Sequence, residues 1–147
     1  MQKFIIEGEC IPKGRPRFAR AGHVYTPKRT RDYETHVKTS LKQQGAKLSE
    51  KPLTMQLDIY KGYLKSWTKK QREEAKKGIK QPYRRPDVDN YTKSILDGAD
   101  KILYNDDAQI IRLIVEKHYD EEPRVEITIG EYGVNDDDRR KKTIHTR

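Results

Sequence analysis

Four carboxylates and a lysine gather in one short stretch of this chain. Asp87, Asp89 and Lys93 lie within Arg84-Arg85-Pro86-Asp87-Val88-Asp89-Asn90-Tyr91-Thr92-Lys93, and Asp106 and Asp107 follow in Asn105-Asp106-Asp107-Ala108-Gln109. The protein around them is basic, with a formal charge of +9 over 147 residues. Acids concentrated in a basic chain suit a cation, and oxygen-only donors suit Mg²⁺, with Mn²⁺ as a substitute. A divalent ion on a surface that attracts phosphate points to phosphodiester hydrolysis.

Asp87 and Asp89 are separated by one residue, so in extended backbone they point the same way. Pro86 biases Arg85 toward extended geometry. Asp89 is then placed to cap a helix from Asn90 to Leu103, with Ile95, Leu96, Ala99, Ile102 and Leu103 on one face. Lys93 sits one turn beyond Asp89, where its ammonium can stabilise charge on phosphate or orient a nucleophile. A third acid follows the helix in Asp106 or Asp107, which the residues alone do not separate. Simpler readings exist: Asp89 as a cap only, Asp106-Asp107 as turn residues, and Asp97 and Asp100 as solvated helix positions. A calcium loop starting at Asp87 is excluded, because its sixth and twelfth positions are Thr92 and Gly98 rather than Gly and Glu.

The elements that must hold this stretch are legible in outline. Phe4-Ile5-Ile6 reads as a first strand. The loop Ile11-Pro12-Lys13-Gly14-Arg15-Pro16-Arg17 cannot continue it and should be fixed and exposed. Thr30 is placed to cap a helix carrying Tyr33, Val37 and Leu41, with Gly45 as its stop. Leu53, Met55, Leu57 and Ile59 alternate with polar residues, as in a half-buried strand. Thr68-Lys69-Lys70-Gln71 fits a capping box for a short polar helix in a surface excursion, either solvated or touching DNA. Ile110 to Val115 and Val125 to Ile129 read as a strand pair joined by an acidic connector. The expected fold is α+β, a mixed α/β sheet with flanking helices in one small domain over 1–132, followed by a loose charged tail over 133–147.

Composition narrows the partner. The positive charge, with eight basic residues between Lys3 and Arg31, favours an anionic polymer. Arg15, Arg17, Arg84 and Arg85 are the candidate DNA contacts, since the guanidinium fork suits phosphate oxygens. The single cysteine, Cys10, excludes an internal disulfide, and four scattered histidines argue against zinc. No leader-like start or bilayer-length apolar run is present, so a cytoplasmic, membrane-free setting is expected. Only 33% of the residues are hydrophobic, so a second copy would help to bury surface.

Arg85-Pro86-Asp87-Val88-Asp89-Asn90, Lys93, Ile95-Leu96-Asp97, Leu103-Tyr104 and Asp106-Asp107-Ala108-Gln109-Ile110 together resemble the RusA family of Holliday-junction resolvases, found in phages and prophages. The likeness extends in outline over Lys3 to Tyr132. It implies a homodimeric, Mg²⁺-dependent endonuclease that makes paired nicks in four-way DNA junctions during recombination and repair. It also implies a metal site of Asp87, Asp89 and Asp107, with Lys93 as the essential lysine; the preference for Asp107 over Asp106 comes from this likeness. The segment Ser66 to Tyr83 is longer than in the shortest members. Two other readings share the basic surface: a DNA-binding protein without catalysis, and a nuclease acting on flaps or replication intermediates.

Overall fold

The structure, a computed structural model, describes residues 1–133. The expected tail falls outside the described residues apart from Gly133. Six strands and three helices follow in the order β1 (Gln2–Glu7), β2 (Arg17–Phe18), β3 (Val24–Tyr25), α1 (Lys28–Gln43), β4 (Leu53–Lys61), α2 (Lys69–Lys76), α3 (Val88–Ala99), β5 (Ile110–Tyr119) and β6 (Arg124–Glu131). Four strands form one mixed sheet in the order β1-β6-β4-β5, and β2 and β3 make a small separate hairpin. This is the α+β arrangement expected.

Alternation along the strands decides which face is covered. Met55, Leu57 and Ile59 of β4 point to one side, with Phe4 and Ile6 of β1 and Val125, Ile127 and Ile129 of β6. There they meet Tyr33, Val37 and Leu41 of α1 and Tyr91, Ile95 and Ala99 of α3 in a single core. Cys10 is buried against the same core. Burial, the largest influence, pushes its thiol up to about 12, so it stays protonated. Among the described residues the other face of the sheet carries no helix and is polar: Lys3 and Arg124 hold Glu126 between them at 2.6 and 2.8 Å.

The strand pair expected from residues 110–129 does not form. β4 lies between β5 and β6, antiparallel to β6 and parallel to β5. The reason is burial. The strand with the strongest apolar alternation takes a central place, whereas Ile111 and Leu113 of β5 are partly exposed at an edge. A parallel partner cannot be reached by a hairpin, so residues 62–109 form a long crossover. Within it, Thr68 and Gln71 make the expected capping box, and Gly78 takes a positive φ of 77° just after the helix. The excursion is not wholly solvated, because Trp67 packs edge-on against Tyr119 with ring centroids 4.8 Å apart.

Two helix boundaries also differ from expectation. Thr30 does not cap α1; it lies inside the first turn, buried, and its hydroxyl accepts the Gly14 N–H at 2.9 Å. The helix that reads as Asn90 to Leu103 runs instead from Val88 to Ala99. Lys38 of α1 ends it, donating to the carbonyls of Asp97, Gly98 and Asp100 at 3.1–3.3 Å, as a cation at a helix C-terminus should. Leu103 still reaches the core from the turn beyond.

Close approach of α1 and α3 depends on Gly98. A Cβ there would lie 2.7 Å from Val37 Cβ and 3.2 Å from the Glu34 carbonyl oxygen. The helix-propensity gain of alanine is therefore outweighed by overpacking. Gly98→Ala should lower unfolding stability by about 1–3 kcal/mol. The check is a lower midpoint in urea unfolding with an unchanged slope; an unchanged or raised midpoint would show that the helices can part at no cost.

Candidate active site

The acids at the start of α3 are set by capping chemistry. Asp87 has extended backbone, and its Oδ1 accepts the Asn90 N–H at 3.0 Å. Asp87, not Asp89, is therefore the N-cap, and the expected shared extended direction of the two acids does not hold. Asp89 falls in the first helical turn, where the positive end of the helix dipole favours a carboxylate. Both are exposed. Lys93 follows Asp89 by four residues on the same helix and so shares its edge, away from the buried Tyr91, Ser94, Ile95 and Gly98.

Asp106 and Asp107 prove to be chemically distinct. Asp106 caps the short 3₁₀ turn Asp107–Gln109: its Oδ1 accepts the Ala108 N–H at 2.8 Å, and that bond holds its carboxyl below the ordinary range. Gln109 closes the turn, accepting the N–H groups of Asn105 and Asp106 and donating to the carbonyls of Ser49 and Lys51. Asp107 is pushed the other way. Burial is the largest cause, followed by its hydrogen bond with Asp106 and repulsion from it; Asp97 adds to this and Lys93 opposes it. One neighbour thus stabilises the turn as an anion, while the other is a crowded acid within electrostatic reach of Lys93.

The structure brings Asp107 and Lys93 into electrostatic reach and keeps Asp87 and Asp89 together at the helix start. It does not draw the three acids onto one point. Among the described residues, the trio of ligand atoms that closes to within 4.8 Å is Asp58, Glu116 and His118 on the open face of the sheet.

The basic candidates stand around this edge. The loop before β2 is tied to α3: Lys13 N–H donates to the Asn90 carbonyl at 2.9 Å, and Ser94 Oγ donates to the Ile11 carbonyl at 2.6 Å. Lys13 Nζ lies 2.8 Å from both Glu34 and Asp97. Asp97 is therefore an ion-pair partner rather than the solvated residue expected, and Lys13 is structurally committed. Arg15 and Arg17 project from the tied loop, exposed. Arg84 and Arg85 are exposed just before Asp87, with the Arg84 guanidinium 5.6 Å from the Tyr83 ring centre.

Sequence reasoning missed Lys117. Its ammonium donates to the carbonyls of Arg84 and Pro86, both at 3.0 Å, and so fixes the segment that presents Asp87. Burial first, then Lys61, lowers its pKa, while Asp87 opposes the shift. The residue lies in a strand about thirty positions downstream, and no local pattern links it to the loop.

This chain belongs to the RusA endodeoxyribonuclease family. The model of the family described as "Endodeoxyribonuclease RusA" matches residues 7–130. The chain is also 37% identical over 135 residues to the uncharacterized protein YqaN of Bacillus subtilis (strain 168), covering 88% of this chain and 95% of that protein. No helix among the described residues is long and apolar enough to cross a membrane.

The opposite shifts of the two neighbours have a test in stability. A carboxyl raised in the fold is a penalty on the folded state once it ionises. The penalty is absent below the unfolded pKa and fully present above the folded one. Asp107→Asn should therefore raise the melting temperature at pH 7, with the gain vanishing as pH falls through the carboxylate range. Asp106→Ala should instead lower the melting temperature at pH 7 through loss of the cap on the Asp107–Gln109 turn. Thermal melts at pH 3 and 7 check both; a destabilised Asp107→Asn at pH 7 would contradict the crowding.

Proposed function

We propose that this protein is a Mg²⁺-dependent, structure-selective endonuclease that resolves four-way DNA junctions by paired nicks. The observation that carries the reading is the match over residues 7–130 to a family of endodeoxyribonucleases, on a chain that presents Asp87, Asp89 and Lys93 along the exposed edge of α3 with Asp107 in electrostatic reach of Lys93. The donor set of Asp87, Asp89 and Asp107 is all hard oxygen, as Mg²⁺ or Mn²⁺ requires, although a single ion would have to draw Asp107 toward the start of α3. These three residues would hold the ion, which when bound polarises a phosphoryl oxygen and lowers the pKa of water.

The chain's own residues do the rest. Lys93, midway along the acidic edge, meets the negative charge that grows on the phosphoryl oxygens as the bond to the leaving oxygen breaks. Arg15, Arg17, Arg84 and Arg85 bind the phosphates on either side and set the register of the strand. Lys117 keeps Asp87 in place by holding the carbonyls before it. Asp106 keeps the turn that carries Asp107. Paired cutting of a two-fold substrate is served by a homodimer with one such set per chain. A DNA substrate of this kind fits the cytoplasm of a bacterial or phage-infected cell.

Asp87→Asn and Asp89→Asn should abolish cleavage and leave junction binding intact or tighter, because phosphate is then met by fewer negative charges. Lys93→Ala should lower the single-turnover rate at saturation more than it weakens binding. The check is single-turnover cleavage of a labelled junction beside gel-shift binding. Wild-type cutting by the Asp variants would remove the metal assignment. A Lys93→Ala effect confined to Kd would make that residue a phosphate contact only.

Mixed dimers test the paired mechanism. Wild-type chains combined with Asp87→Asn chains should accumulate singly nicked junction in place of linear products. A monomer by sedimentation that still resolves junctions would remove the dimer and leave the chemistry of each site standing.

A further inference from the structure

The open face of the sheet holds a second group of metal-ligating side chains, away from α3. Asp58 of β4 and Glu116 of β5 are register partners in the parallel pair, and His118 follows Glu116 by two residues on the same face. Their ligand atoms lie within 4.8 Å of one another. His118 Nε2 is 2.8 Å from Asp58 Oδ1 and 3.9 Å from Glu116 Oε2. One ion with bonds of about 2.0–2.2 Å keeps its ligand atoms about 3–4 Å apart. The imidazole nitrogen sits at such a spacing from Glu116 and hydrogen-bonds Asp58 at 2.8 Å, so an ion would replace the proton shared there and need only a small opening of that pair.

The surroundings hold Asp58 and His118 in place, and Glu116 is free to close on them from the surface. Gln56 Nε2 donates to the other oxygen of Asp58 at 3.0 Å. Tyr60 stacks on the His118 ring with centroids 4.7 Å apart, and the Arg124 guanidinium lies 3.9 Å from the centre of the Tyr60 ring. Partners that orient ligands in this way are part of how metal sites are built. The nearby cations are already engaged: Lys3 and Arg124 both pair with Glu126, and Arg124 also reaches Asp120 at 2.9 Å. Two carboxylates against one imidazole leave the cluster net negative whenever both acids are ionised. A negative set of one nitrogen and two oxygens, two of its three members held in place, suits a divalent cation.

We propose that Asp58, Glu116 and His118 form a binding site for a first-row divalent transition ion, Zn²⁺ or Mn²⁺ in preference to Mg²⁺. The imidazole nitrogen sets that preference, since Mg²⁺ takes oxygen donors. Three protein ligands leave coordination positions for water. The site does not depend on the nuclease reading, and it differs in donors from the all-oxygen edge of α3.

The test is calorimetric titration of Zn²⁺ into the full-length protein with Mg²⁺ in large excess, so that all-oxygen sites are occupied. One Zn²⁺ per chain should bind. Glu116→Gln and His118→Gln should each weaken it by about tenfold or more, and Gln56→Ala by a smaller factor. Glu116 is 59% exposed in its side chain, so its substitution does not threaten the fold. The His118 ring resonances of wild-type protein should shift on Zn²⁺ addition. Absence of uptake, or uptake of equal affinity in both ligand variants, would overturn the proposal; the second result would place the ion on other histidines or on the acids of α3.

Discussion

The parallel pairing of β4 with β5 is the constraint from which the rest follows. Two neighbouring strands that run the same way need a crossover, and here it spans residues 62–109. Every acid of the proposed nuclease edge, its lysine, and the Arg84-Arg85 pair lie within that crossover. Because α1 and α3 cover the same face of the sheet, α3 is pressed against α1 and the core along its apolar stripe. Its acidic edge is thereby left at the surface. The same pairing places Asp58 beside Glu116 and His118 on the uncovered face. One topological choice thus creates both groups of potential ligands.

Charge in this protein is sorted by what each group is bonded to rather than by sign alone. Lys13, Lys38 and Lys117 are cations spent on structure: one joins α1, α3 and the loop before β2, one ends α3, and one holds the segment before Asp87. Asp106 and Glu126 are anions spent the same way. Burial alone would raise Glu126, but Lys3 and Arg124 outweigh it and hold its carboxyl below the ordinary range. Against this background Asp107 is the exception among the described carboxylates, crowded and raised, with Lys93 in electrostatic reach. A residue whose environment disfavours its own charge is a better functional candidate than one whose charge is satisfied.

Local patterns showed most of the elements. Short apolar runs located β1, β5 and β6, alternation located β4, the 3.6-residue stripes located α1 and α3, and the Thr68 box located α2. What failed was long-range. The β5–β6 pairing was inferred from adjacency in sequence, and nothing local says that β4 will insert between them. Thr30 and Asp89 look like caps because capping is judged from type and position. The actual caps are decided by which side chain reaches an amide, and Thr30 is drawn instead to Gly14. For the site, Asp87, Asp89, Lys93 and Asp107 were nameable from spacing and family likeness. The difference between Asp106 and Asp107 is visible only in their hydrogen bonds. Lys117, and the meeting of His118 with Asp58, depend on strand register, which is why a count of scattered histidines argued against any such cluster.

The central claim is that a divalent cation on the α3 edge turns this basic scaffold into a junction-cutting enzyme. The most direct measurement is incubation of the wild-type protein with an end-labelled four-way junction and a matched linear duplex, with Mg²⁺ or with EDTA. The account predicts symmetric paired nicks in the junction with Mg²⁺, none with EDTA, and little cutting of the duplex in either. Junction binding with no cleavage across Mg²⁺ and Mn²⁺ concentrations, or cleavage that persists in EDTA, would contradict it.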